Sequence, residues 1–142
     1  MNDFRTGGIF KGALIGGIAA GTLNIGLFFV GKAAGAKFLL TEPGSAELAP
    51  IPPYQPMVNC VMGAIVAAAV MAGLAKVAGK KAWTVFVGVA AAVFLLFFTF
   101  PIKMLPGDTL SIVFLEIMHV PAAIGIMVGI WRFGREAGPA PR

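Results

Sequence analysis

The chain has 142 residues, 58% of them hydrophobic and only 12% charged, with a mean hydropathy of +0.91. Soluble domains carry about 25% charged residues, and a soluble fold of this size lacks the interior to hide so many apolar side chains. The formal charge is +5, yet the basic residues sit singly or in short groups at the ends of apolar runs. That placement orients membrane helices and argues against a nucleic-acid partner.

The first apolar run, residues 11–30, follows Arg5 and Lys11 and ends before Ala34-Gly35-Ala36, which imitates a signal-peptide cleavage site. The stretch from Gly12 to Val30 is longer than a usual signal core, so it is expected to be an uncleaved first membrane helix. Gly12-xxx-Gly16 and Gly17-xxx-Gly21 lie within it. Small residues at this spacing let helix backbones approach closely in lipid, and they mark a packing helix.

Residues 37–55 change character. Prolines at 43, 50, 52 and 53, with Pro56 just beyond, forbid a regular helix and predict the one sizeable loop. A second span is predicted over 56–77, with Gly63 as a further packing glycine, and a third over 82–102. Phe94, Phe97, Phe98 and Phe100 crowd the outer half of the third span, where they are expected to face lipid or plug the bundle. The fourth span covers 109–131, and about 20 apolar residues suffice for each crossing. Tight connections around Gly79-Lys80-Lys81 and Pro106-Gly107 predict antiparallel neighbours. The expected fold is therefore all-α, a single-domain up-down-up-down bundle of four transmembrane helices.

Lys and Arg fix the expected orientation. Arg5, Lys11, Lys76, Lys80, Lys81, Arg132, Arg135 and Arg142 fall on one side, which predicts cytoplasmic termini in a bacterial inner membrane. Trp83 and Trp131 fall at the same predicted interface.

Ionisable groups inside a span are costly and each needs a reason. The fourth helix carries two, Glu116 and His119, whose i, i+3 spacing places them on one face. Pro121 follows, removing a backbone donor, freeing the carbonyl of Ile117 and predicting a kink. Asn24 falls at about the depth of Glu116, with Asn59 and Cys60 near the outer end of the second helix and Thr99 near that of the third. If these groups converge, Asn24, Asn59, Glu116 and His119 line an outward-facing polar pocket for a small ligand or ion. The competing expectation is that they are interhelical glue.

No residue set proposes a reaction. The chain has one histidine and one cysteine, so Glu116-x-x-His119 lacks the further ligands that a di-iron bundle uses. Met57, Met62, Met118 and Cys60 could suit a soft ion, although methionine in an apolar bundle is ordinarily filler. Neither a metal nor a cofactor is expected.

Asn24-Ile25-Gly26, Lys32-Ala33-Ala34-Gly35 leading into the Pro-rich loop, and Met118-His119 together resemble the DUF6069 family of small bacterial membrane proteins, over about residues 11–133. The resemblance implies a four-helix fold and no activity. It singles out Asn24 and His119. Two functions stand as expectations: an accessory or transport-related protein with the polar pocket, or a structural subunit of a larger membrane complex. The expected partners are the lipid bilayer and either further copies of the chain or other membrane subunits.

Overall fold

A computed structural model describes residues 4–41, 47–98 and 108–135. Four helices dominate it: α1 (Thr6–Ala33), α2 (Gln55–Val77), α3 (Ala82–Phe97) and α4 (Thr109–Gly134). With the short 3-10 turn Gly79–Lys81 counted into α3, all four are long and apolar enough to cross a membrane. The chain is an all-α protein with four membrane-spanning helices. The predicted third span reached residue 102; its last residues, and with them Thr99 and Phe100, lie outside the described residues, as do Pro43, Pro106, Gly107 and Arg142.

α1 is the centre of the molecule. It has 28 residues, or about 42 Å at the usual rise, and it packs along both α4 and α2. Two glycine rows make this possible. Gly12 and Gly16 face α4, where an added Cβ would run into the carbonyl oxygens of Gly129 and Gly125. Gly17 and Gly21, about 140° round the helix, face α2. There an added Cβ would come within 2.7 Å of Ala64 Cβ and 2.6 Å of Met57 Sδ. As numbers rise along α1 they fall along both partners, so α1 runs antiparallel to α2 and to α4. This register is compatible with an up-down bundle.

The fourth helix answers α1 with glycines of its own. Gly125 and Gly129 put their backbones against Gly16 and Gly12, so the two helices meet glycine to glycine. Glycine Cα–H groups facing carbonyl oxygens at such a seam contribute about 0.5–1 kcal/mol each. Gly63 stands apart from this pattern. An added Cβ there would meet only Ile126 Cδ1, at 3.8 Å, and α2 approaches α1 through Met57, Cys60 and Ala64 instead.

α3 is attached loosely. Only Ala82 and Phe86 on it are buried, and it leans on α2 with a slight touch on α4. Its cytoplasm-predicted end is held better than its middle. Trp83 and Trp131 lie with ring centroids 4.7 Å apart, Phe4 stacks on Trp83 at 5.9 Å, and the Arg135 guanidinium sits 4.0 Å over Trp131. The Arg5 amide donates to the Gly134 carbonyl at 2.8 Å, closing the chain's N-terminal lead onto the end of α4.

The described part of the Pro-rich segment carries strand structure. Just past the end of α1 comes Gly35, whose φ of +100° suits glycine. Leu39–Thr41 then pairs antiparallel with Leu48–Pro50, a small hairpin of strands β1 and β2. Phe38 is fully buried with a φ of 50°, a costly conformation for a bulky residue. It is held from three directions: its ring stacks on Phe28 at 4.5 Å, its carbonyl accepts from the Ile51 amide at 2.8 Å, and its amide donates to Ser111 Oγ at 2.8 Å. Asp108 caps α4, accepting from the Ser111 amide and hydroxyl, and also accepts from the Lys37 amide at 3.0 Å. The Ser111 hydroxyl, with the Ser111, Lys37 and Phe38 amides, holds the Asp108 carboxyl below the ordinary carboxylate range.

Candidate functional site

Asn24 lies at the level where α1, α2 and α4 meet. Its row on α1 is the buried one, shared with Gly17, Phe28 and Gly31, and it is only 3% exposed. Its amide nitrogen donates to the Met118 carbonyl on α4 at 2.8 Å and to Cys60 Sγ on α2 at 3.3 Å. One side chain therefore ties all three helices of the core. The amide oxygen, also buried, has no hydrogen-bond partner among the described residues. Met118, which points inward, is one residue along from Ile117, the carbonyl deprived of its helical donor by Pro121. Despite that proline, α4 is helical throughout from Thr109 to Gly134.

Glu116 and His119 sit elsewhere. His119 Nδ1 lies 2.7 Å from the Leu115 carbonyl, and because a carbonyl only accepts, Nδ1 carries the proton. In the neutral ring that leaves Nε2 with its lone pair free to accept. The ring faces α3, with its centroid 6.2 Å from that of Phe97 and 6.3 Å from that of Phe98. Both carboxyl oxygens of Glu116 are shielded from solvent and have no hydrogen-bond partner among the described residues. Neither residue bonds to Asn24.

Asn59 is turned away as well. It is exposed, and its side-chain oxygen accepts from Gln55 Nε2 at 2.9 Å, a bond within the surface of α2. One residue before Cys60, it is rotated about 100° from the face that meets α1. The four polar residues expected to converge thus divide into three places: Asn24 in the core, Asn59 on the outside of α2, and Glu116 with His119 on the α3 side of α4. The two best-formed cavities among the described residues have none of them in their walls.

The soft side chains are dispersed too. Met62 is exposed, Met57 packs at Gly21, and Cys60 holds the Asn24 amide. No group of three His, Cys, Asp or Glu side chains comes together among the described residues.

Sequence reasoning missed four participants. Gly125-xxx-Gly129 carries the same small-residue signature that marked α1, and that spacing was available to be read. Ser111 and Asp108 are a helix cap by composition, but their grip on Lys37 and Phe38 is a long-range contact without a local signal.

Fold and site together define a four-helix membrane protein with a polar tie at its centre. Its sequence matches a family of unknown function, DUF6069, over residues 4–136, nearly the whole chain, and the protein belongs to that family. No curated protein and no solved structure matches it.

Proposed function

We propose that this chain is a non-catalytic helical subunit of a larger membrane assembly, with Asn24 as internal glue and Glu116 and His119 as its polar contact with the rest of the assembly. The observation that carries this reading is the pair of Glu116 oxygens, shielded yet unpartnered. A carboxyl group at membrane depth needs a hydrogen-bond donor, and none of the described residues supplies one. Asn24, by contrast, already spends its donors inside the chain. The excess of Lys and Arg around Lys76, Lys80, Lys81, Arg132 and Arg135 supports termini in the cytoplasm of a bacterial cell, with the β-hairpin outside.

A second reading rests on the same carboxyl group. A small ligand or ion could satisfy Glu116 together with His119 Nε2, which would make the chain an accessory or transport-related protein. One experiment separates the two. Protein extracted in mild detergent, with and without prior cross-linking in the membrane, is weighed intact by native mass spectrometry, alongside Glu116→Gln. The subunit reading expects a defined complex with further copies or another chain, lost or weakened in Glu116→Gln. The ligand reading expects a monomer carrying a small added mass that Glu116→Gln loses. A bare monomer in both preparations would contradict both readings.

A further inference from the structure

Where α1 ends, the hairpin leaves an open groove of about 560 Å³ between Phe28, Phe29 and Lys32 on one side and residues 50–53 on the other. We propose that this groove is a binding site for an anionic phospholipid, with an acyl chain along Phe29 and Ile51 and the phosphate on the Lys32 ammonium. The inference is independent of the function proposed above.

The wall formed by residues 50–53 is suited to hydrocarbon. Non-helical backbone in lipid is tolerated only when its polar groups are satisfied. Three of the four residues are prolines and have no N–H to satisfy. The remaining amide, that of Ile51, donates to the Phe38 carbonyl, and the Pro52 carbonyl accepts from the Gln55 amide at 3.0 Å. Across the groove the Phe29 ring is 56% exposed, backed by Phe28, which is itself buried in the core.

The rim supplies charge. Lys32 lies in the last turn of α1, at the depth of lipid head groups for a helix that outruns the hydrocarbon core. Its ammonium donates to the Lys37 carbonyl at 3.0 Å and sits 6.0 Å from the Phe28 ring centroid. These contacts aim the ammonium while using one of its three donors. Among the described residues no carboxylate pairs with it. Asp108, the nearby acid, is committed to Ser111 and the Lys37 amide. A fixed cation above an apolar trough matches a lipid with net negative charge better than a zwitterionic one.

The test uses the full chain in mild detergent, offered equal phosphatidylglycerol and phosphatidylcholine and read by native mass spectrometry. One lysine near an anionic surface contributes about 1 kcal/mol, so the first bound lipid should be phosphatidylglycerol by about fivefold. Lys32→Gln should bring the ratio near parity, Lys32→Arg should keep it, and Lys76→Gln, on α2 far from the groove, should leave it unchanged. Ile51→Trp, which fills the groove, should lower retention of both lipids. Equal retention by the wild type would overturn the proposal. So would a preference that survives Lys32→Gln, or soluble glycerol phosphate competing as well as the lipid does.

Discussion

The two long sides of this molecule are built on different physics. On one side α1 meets α4 backbone to backbone, Gly12 and Gly16 against Gly129 and Gly125, and meets α2 through Gly17 and Gly21 against Ala64 and Met57. On the other side α3 buries two residues and meets α4 through scattered aromatic contacts. In lipid, apolar side chains gain little by leaving the solvent, so close approach and interhelical hydrogen bonds decide which helices hold together. The α1 seam has both. The α3 side shows scattered ring contacts instead, and Glu116, in the same stretch of α4 as His119, has no hydrogen-bond partner among the described residues.

The sharpest way to break this contrast is to crowd each side in turn. Gly16→Leu should prevent α1 from seating on α4, and even Gly16→Ala should cost about 1–3 kcal/mol, because the obstacle is the backbone of Gly125 and cannot rotate away. Gly88→Ala in α3 meets nothing within 4 Å and should be neutral or slightly stabilising, gaining up to about 1 kcal/mol of helix propensity. Thermal unfolding in detergent measures both. Equal losses at the two sites would end the distinction.

A smaller effect is expected at Asn24. Asn24→Ala removes the bonds to Met118 and Cys60 but also removes a buried, unpartnered oxygen. The net loss should be roughly 1 kcal/mol, within the range of interhelical hydrogen bonds in membranes. A loss much larger than Gly16→Ala would move the centre of stability from the glycine seam to the polar tie.

The smallest effect belongs to the hairpin. Asp108 titrates below its usual value of 3.8 because Ser111, and then the Lys37 and Phe38 amides, stabilise its charged form. A depressed folded-state pKa means that its contribution is fully present above the unfolded value, and is lost as pH falls through the lower folded one. Wild-type stability should therefore decline in a step below about pH 4. Asp108→Asn should be less stable at neutral pH and lack that step. An identical acid profile in both proteins would mean that the cap does not hold the hairpin.

Much of the architecture was legible in the sequence because composition and length act locally. Four apolar runs of spanning length, the glycine pairs of α1 and the proline-dense connection each signal their own structure. The placement of Asn59 was not legible, since depth along a helix says nothing about azimuth, and one residue separates it from the buried Cys60. Asn24 and Glu116 were expected at one level, yet they face different neighbours for the same reason. Phe38 was invisible too. Its left-handed backbone is imposed by Phe28, Ile51 and Ser111, residues distant in the chain.

Whether Asn24 is glue or the floor of an outward pocket can be read from its neighbour Cys60, the only cysteine in the chain. Cys60 is 4% exposed and held by the Asn24 amide between α1 and α2. The measurement is the rate at which a water-soluble maleimide labels Cys60 in the wild-type protein reconstituted into vesicles. A sealed helix junction predicts no labelling until the protein is unfolded, when the thiol should react stoichiometrically. Rapid labelling of the folded protein would show water at Asn24, and would contradict the account of that residue as a structural tie.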